Sequence, residues 1–370
     1  MKRTDTKLCS SVVLLGGYPP PVGGITIHVK RLHQLCLQNQ ITCCVLNHLG
    51  SKPFGQPQSG ILAVSGNRVL KLIKLAFLLH QSKSSIVHIH VSKFDSIFFG
   101  MPFLLGATLR KKRILTIHSG AFVASYSSNK IKRYLLKRIL KQFTKIIPVN
   151  SEQQQFLRDY LKLGSRITEI IPSYILPDIN SINKVDPSIK EKIEKFRKEH
   201  TIVLMISGMV LPHYGYELLI EVVKSLPMKN HIGVIFSFYG EVDKEYKTTL
   251  LKKINSIHHL IFDENLQEEN FLYVLKSVDV YVRPTTVDSV GVVVAEALTL
   301  RVPVLASDVC FRPPGTILFK SSDKKDLKER LVFILQNKEK VQQSLKAIQL
   351  PNYGENIINI YKELLNIPKT

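Results

Sequence analysis

The stretch Tyr281-Val-Arg283-Pro-Thr-Thr-Val-Asp288-Ser-Val-Gly291-Val-Val-Val-Ala-Glu296-Ala-Leu-Thr-Leu-Arg-Val-Pro-Val-Leu-Ala-Ser-Asp308 passes from one apolar run to another through a loop and a helix-length segment. Its first run, Val278–Val282, predicts a buried strand that ends near Arg283, because Pro284 has no N–H to offer a ladder. Gly291 opens a helix, and Val304–Ala306 starts the next strand. Strand, helix and strand in so short a span make a βαβ unit, which requires parallel pairing within an α/β sheet. Asp288 stands in the loop, and Glu296 follows eight positions later in the second turn of the helix. With Gly291 at the helix start, the N–H groups of Val292 and Val293 face an anion placed between these acids.

Outward from this unit the same alternation recurs. Val12–Leu15, Ile41–Leu46, Ile86–His90, Ile114–His118 and Lys145–Val149 form one series of β-branched runs with helical patterns between them. After a polar, proline-bearing stretch from Pro177 to Pro187, a second series runs through Ile202–Ser207, Ile232–Ser237, Leu260–Phe262, Val278–Val282 and Val304–Ala306. The expected fold class is α/β, with two Rossmann-like doubly wound domains, and in such folds ligands bind beyond the carboxyl ends of the strands. The expected domains are 1–177, joined by a closing helix at 352–366, and 178–351. A chain of 370 residues with 45% apolar and 22% charged side chains has the composition and length for two sizeable cores, not for a low-complexity or disulfide-scaffold protein.

Cys9, Cys36, Cys43, Cys44 and Cys310 are odd in number and contain no CxxC pair, so they read as reduced thiols of a cytosolic protein. Lys2, Arg3 and Lys7 precede a short apolar run that Pro19, Pro20 and Pro21 close, which fits a first buried strand better than a signal peptide. The uncharged, strongly apolar stretch Ser96 to Leu109 has 14 residues, short of the ~20 a bilayer span needs, so no transmembrane helix is expected. The net charge of +22 is uneven: 25 Lys and Arg face 6 Asp and Glu through residue 180, against 26 and 23 beyond it. A surplus confined to one half points to a polyanionic partner of that half, whether nucleic acid, anionic lipid or phosphorylated substrate. The segment Lys130 to Lys145 places Ile131, Leu135, Ile139 and Phe143 at i+4 intervals among seven cations, and is expected to be an amphipathic helix with one apolar stripe that docks on an anionic membrane or packs on its own sheet.

Two further motifs lie at strand ends. The first strand runs into Gly16-Gly-Tyr-Pro-Pro-Pro-Val-Gly23-Gly24-Ile-Thr-Ile-His28, where the pair Gly23 and Gly24 opens a helix and forms either a tight turn or a phosphate seat. His88 and His90 alternate along one strand and read chiefly as satisfied core histidines, whereas His118, followed by Ser119-Gly120, is placed to meet a sugar hydroxyl or a developing charge. No DxD sequence is present and these histidines have no acidic or thiolate companions at ligand spacing, so no metal is expected.

Taken together, these residues resemble the family 4 glycosyltransferases of GT-B fold, a retaining type found in bacterial polysaccharide and glycolipid synthesis. The hallmark of that family is an acid, seven residues, then Glu within P(S/T)xxExxGxxxxEAxxxGxPV. Here it reads Pro284-Thr285, Asp288, Gly291, Glu296-Ala297 and Pro303-Val304, with Asp in place of the first Glu and Arg301 where Gly is usual. Pro20 to His28 is similar to the family's PxxGGxxxH loop, Thr116-Ile-His118 to its cleft histidine, Ile170-Ile-Pro172 to the segment before its hinge, and Tyr353 to Leu365 to its closing helix.

The resemblance implies a metal-independent hexosyltransferase whose co-substrate is an NDP-sugar, with UDP as the default, held between the domains and mainly by the second. It implies that Glu296 holds the ribose hydroxyls, Asp288 contacts the transferred sugar, and His118 stands by the reacting centre. The family's diphosphate-binding Arg and Lys, in a G-R-x4-K-G string, are here Gly208-Met209 and Tyr214-Gly215. Charge on the departing diphosphate must then be met by helix N-termini, glycine amides and another cation, for which Arg283 is the candidate unless it only pairs with Asp288. The expected acceptor is lipid-linked or saccharide, and the expected place is the inner face of the cytoplasmic membrane. The alternatives are a catalytically silent GT-B partner subunit and a nucleic-acid-binding protein; the latter lacks any RNP-like string or zinc finger, and no nucleic-acid partner is expected.

Overall fold

The computed structural model describes residues 10–50, 59–91, 95–118, 122–127, 129–263, 265–288 and 291–368. Cys9, the cations Lys2, Arg3 and Lys7, and the Ser119-Gly120 pair lie outside the described residues. The chain forms two compact units, one of residues 1–20, 24–175 and 352–370, the other of residues 21–23 and 176–351.

The first unit carries a six-stranded sheet in the order β3-β2-β1-β4-β5-β6. Its strands are β1 (Val12–Gly16), β2 (Cys43–Asn47), β3 (Ile61–Ala63), β4 (Ile86–Val91), β5 (Lys112–Ile117) and β6 (Lys145–Ile147), and all pairs are parallel. The second repeats that winding as β12-β11-β10-β7-β8-β9. It is built from β7 (Ile202–Val210), β8 (Ile232–Val242), β9 (His259–Phe262), β10 (Val280–Arg283), β11 (Val304–Ser307) and β12 (Ile317–Phe319), again all parallel. Each sheet reverses its strand order once, between β1 and β4 and between β7 and β10. Such a reversal leaves a crevice at the carboxyl ends that no crossover helix fills.

Alternation along the strands divides each unit's core between the two faces of its sheet. Val13, Leu15, Val87, Ile89, Leu115 and Ile117 pack on one face of the first sheet, beneath helices Arg68–Gln81, Asp95–Ala107 and Lys130–Leu140. Val12, Leu14, Ile86 and Ile114 pack on the other, together with Ile357, Ile358 and Tyr361 of the helix Tyr353–Leu365. In the second unit Leu204, Ile206, Val280 and Val282 occupy one face, and Val203, Met205, Tyr281 and Val304 the other. Each fully buried aliphatic side chain contributes about 1.5–3 kcal/mol, so both helix layers are fixed by the strands they cover.

Two expectations need correction. The edge strands β3 and β12 were absent from the reading of the sequence; each has three residues and a single neighbour. The apolar stripe expected along 130–145 does not form one face either. The helix ends at Leu140, Ile131 and Leu135 are 73% and 46% exposed, and Ile139 and Phe143 are buried in the core. A spacing of four exceeds the helical repeat of 3.6, so each step rotates the stripe by about 40°, and its two ends face different surroundings.

Arg301, which departs from the family's usual glycine, adopts φ +63°. That conformation suits glycine and costs another residue roughly 1–3 kcal/mol. Its guanidinium offsets the cost by donating to the carbonyls of Leu345 and Ile348 at the end of the helix Lys338–Lys346.

Candidate functional site

In the second unit, the crevice between β7 and β10 is lined by the residues that end those strands. β10 stops at Arg283 because Pro284 follows, and the loop turns Asp288 back onto it. Asp288 accepts hydrogen bonds from Arg283 Nε at 3.0 Å and Nη2 at 3.3 Å, from Arg312 Nη1 at 2.7 Å and from Thr285 Oγ1 at 3.3 Å. The side chains of Arg283, Asp288 and Arg312 are only 7%, 9% and 1% exposed. Burial by itself would raise the Asp288 carboxyl's pKa, but the two guanidiniums prevail and hold it well below the usual carboxylate range.

Arg283 is also anchored by a bond from Nη1 to the Ser207 carbonyl, 3.0 Å away at the end of β7. Its guanidinium lies 4.9 Å from the centroid of the Tyr214 ring, and its charge acts on the neighbouring Tyr239 and Tyr281 hydroxyls. Arg283 is thus partnered from several sides within the protein.

Tyr214 stands where the family has its lysine. Its ring lies flat on Gly208, where an added Cβ would fall 2.0 Å from Tyr214 Cδ1. Only glycine fits there. In place of the missing cation, the aromatic face seats the guanidinium of Arg283, a contact that can contribute about 2 kcal/mol when desolvated.

Arg312 was not among the residues singled out from the sequence. It follows β11, and Nε and Nη2 bond Ser307 O at 3.2 Å and Thr285 Oγ1 at 3.2 Å. The rule that selected Arg283, a cation just beyond a strand's carboxyl end, would have found it. Two guanidiniums and one carboxylate leave a surplus of one positive charge beneath Gly291, whose added Cβ would lie 2.7 Å from Arg312 Nη1 and 3.2 Å from Asp288 Oδ2. Gly291 takes φ +72° and starts the helix Val292–Thr299, so the positive helix end and the charge surplus fall in the same place. Val292 is half-buried and Val293 is 9% exposed. Glu296 is 4% exposed and lies on the same helix.

The first unit has its own crevice, at the ends of β1, β4 and β5. His88 is satisfied: Nδ1 meets Tyr361 Oη at 2.5 Å and Nε2 meets Thr116 Oγ1 at 2.8 Å, as the reading of a core histidine expected. His90 and His118 come together as Nδ1 and Nε2 at 3.1 Å, and His118 Nδ1 meets Ser173 Oγ at 2.7 Å. His28, on the helix Gly24–Gln38, stacks edge-on to His118 with ring centroids 4.9 Å apart. Burial brings the His28 pKa down to about 4, opposed by the Ser173 backbone and, to a smaller extent, assisted by Arg31; burial also lowers those of His88, His90 and His118. All four are neutral imidazoles at pH 7. Gly24 opens the helix in an exposed position, with half-buried Gly23 before it.

Residues 188–349 match the family model described as glycosyl transferases group 1. No curated protein sequence matches the chain significantly. Among solved structures, the chain is similar to an α,α-trehalose-phosphate synthase (UDP-forming) from Burkholderia xenovorans in complex with glucose-6-phosphate, at 10% identity and TM-score 0.70, over 96% of this chain and 98% of that one. It is similar to sucrose-phosphate synthase from Thermosynechococcus elongatus at 15% identity and TM-score 0.69, over 96% and 99%. It is also similar to the Anabaena protein HepE in complex with UDP and glucose, at 14% identity and TM-score 0.59, over 96% of each chain. The fold is GT-B, and residues 188–349 form a glycosyltransferase group 1 domain.

Proposed function

We propose that this GT-B glycosyltransferase moves a sugar from an NDP-sugar, with UDP as the nucleotide, to a lipid-linked or polysaccharide acceptor at the inner face of the cytoplasmic membrane, with retention of configuration. The observation that carries the reading is the buried Arg283–Asp288–Arg312 cluster under the Gly291 helix end, with Glu296 on the same helix. Sugar transfer builds oxocarbenium character on the sugar and negative charge on the leaving diphosphate. A net cation and a helix N-terminus, both fixed before substrate arrives, meet that charge without reorganising, and one such donor is worth about 2.7–4 kcal/mol. The transfer as proposed needs no metal to stabilise its leaving group. Glu296 receives the ribose hydroxyls, Asp288 faces the transferred sugar, the amides of Gly208, Val292 and Val293 and the Gly23-Gly24 turn assist with phosphate, and His118 serves the acceptor. The choice of UDP is supported by two of the similar structures, a UDP-forming synthase and a protein in complex with UDP and glucose.

The membrane part of the reading is supported by the first unit's surface. Residues 6–151 contain a single acid, Asp95. On the helix Arg68–Gln81, Val69, Ile73 and Phe77 are 68%, 52% and 58% exposed beside Arg68, Lys71 and Lys74, and Ile131 and Tyr134 of Lys130–Leu140 are 73% and 57% exposed. Each cation near an anionic surface adds about 1 kcal/mol. No described helix is long and apolar enough to cross a membrane, so association would be peripheral.

Calorimetric titration with UDP-, GDP- and ADP-sugars tests the donor reading, and Glu296→Gln is expected to weaken binding of the preferred donor about tenfold or more. Unchanged affinity in a folded variant removes Glu296 from the site. Donor binding without turnover across lipid and saccharide acceptors would favour a silent GT-B subunit, a reading that the Met209 and Tyr214 replacements keep open.

A further inference from the structure

His118, directly after β5, is engaged at both ring nitrogens: Nε2 lies 3.1 Å from His90 Nδ1, and Nδ1 lies 2.7 Å from Ser173 Oγ. In this arrangement neither ring nitrogen of His118 is free for a substrate. His90 and His118 are buried, whereas Ser173 is half-buried. Among the described residues the Ser173 hydroxyl has His118 as its one partner, and His90 Nε2, at the far end of the row, has none. His28 stacks against both histidines, with its ring centroid 4.9 Å from that of His118 and 5.4 Å from that of His90, and covers the row without joining it.

The direction of this row follows from counting its hydrogens. Burial keeps both histidines neutral, so each imidazole brings one N–H and the serine brings one O–H. The His90–His118 and His118–Ser173 bonds use two of these hydrogens, and the third is left at one end. If the row ran from Ser173 to His90, the spare hydrogen would sit on His90 Nε2, which is buried and has no acceptor. If it runs from His90 to Ser173, His90 Nδ1–H donates to His118 Nε2, His118 Nδ1–H donates to Ser173 Oγ, and the spare hydrogen is the hydroxyl's own, on the least buried of the three groups. As backbone groups show, a buried N–H without an acceptor is rarer than a buried acceptor without a donor. The network therefore assigns the second direction, with Nδ1–H tautomers for both histidines.

We propose that the Ser173 hydroxyl, and not an imidazole nitrogen, is the group this cluster presents to substrate, as a hydrogen-bond donor to a hydroxyl oxygen of the acceptor, with His118 and His90 as its positioning residues. The inference rests on the transferase reading and deepens it, since it names the atom through which His118 serves the acceptor. Ser173 meets His118 at the carboxyl edge of the first sheet, where ligands of doubly wound folds bind. With one lone pair of Oγ filled by His118 Nδ1–H, the hydroxyl is held as a donor whose hydrogen points away from the ring. The row moves no proton. The nitrogen that faces Ser173 already carries a hydrogen, so it cannot act as a base toward the hydroxyl, and Ser173 orients the acceptor without becoming a nucleophile.

The test reads the row both without and with catalysis. In the full-length protein labelled with ¹⁵N at histidine, long-range ¹H–¹⁵N spectra report which ring nitrogen bears the hydrogen, and His90→Gln and His118→Asn identify the two rings by loss of their signals. The expected pattern is Nδ1–H for both. Ser173→Ala should move His118 away from the Nδ1–H form, and Ser173→Thr, which keeps the hydroxyl, should restore it. In transfer assays Ser173→Ala should lower kcat/KM for the acceptor about tenfold or more while donor affinity by titration stays within about twofold, and Ser173→Thr should recover most of the loss. Circular dichroism checks the fold of each variant. An Nε2–H form of His118 in the parent, an unchanged His118 tautomer in Ser173→Ala, or parent-like acceptor kcat/KM in a folded Ser173→Ala protein would each overturn the proposal. A parent that transfers sugar to no acceptor would refute the transferase reading and with it the role of Ser173 toward substrate, while the spectra still decide the direction of the row.

Discussion

Asp288→Asn removes one charge from the second unit and almost no volume. In the parent, the carboxylate receives two bonds from Arg283 and one each from Arg312 and Thr285, and none of the three charged side chains is more than 9% exposed. A surface ion pair would contribute about 0–1 kcal/mol. Breaking a buried pair by removing one partner costs about 3–5 kcal/mol, because the other charge is left uncompensated, and here two guanidiniums lose the same partner. We expect a loss of about 3–5 kcal/mol, read as a lower urea midpoint and as reduced hydrogen-exchange protection in β7 and β10. Adding Arg312→Met should recover part of the loss, with a coupling of roughly 1–3 kcal/mol. The folded pKa of Asp288 is depressed, so its contribution is complete above the unfolded value of about 3.9 and disappears as pH falls through the lower folded value. The gap between parent and variant should therefore be constant from about pH 5 to 8 and shrink only on stronger acidification. A loss under about 1 kcal/mol at pH 7, or a gap that closes already near pH 6, would refute the view that this cluster is a buried charge network.

Other outcomes follow from the same structure. Arg283→Met should leave nucleoside affinity nearly unchanged while weakening NDP and NDP-sugar binding more than about tenfold, and equal loss of both by titration would mean that Arg283 only shapes the loop. His118→Ala should reduce turnover far more than donor affinity in paired kinetic and binding measurements; equal loss would indicate a structural role. Arg301→Ala should destabilise by about 1–3 kcal/mol, because it keeps the left-handed backbone and loses both carbonyl contacts, while Arg301→Gly should cost less, and the reverse order in thermal unfolding would contradict that account. Replacing Ile73 and Phe77 by Ser should reduce sedimentation with anionic liposomes at low salt, and equal, negligible binding to neutral and anionic liposomes by the parent would remove the membrane from the reading.

What could be read from the sequence was local. Ten of the strands are marked by apolar runs with proline or glycine punctuation, and a βαβ unit defines its own parallel pairing, so the doubly wound class and the places of Asp288, Gly291 and Glu296 follow from spacing within one unit. Strands β3 and β12 are three residues each and exist because a neighbouring edge supplies their ladder, a partner that no local pattern encodes. The strand order, which sets β7 beside β10 and β10 beside β11, was needed to bring Ser207, Tyr214 and Arg312 to Arg283 and Asp288. The same holds for His28, on the helix after β1, whose ring lies against those of His90 and His118 at the ends of β4 and β5 only because the sheet sets β1 beside β4 and β4 beside β5. Residue types and periodicity are properties of neighbours along the chain; a charge network or a histidine cluster depends on distances between segments, and those exist only once the sheets have closed.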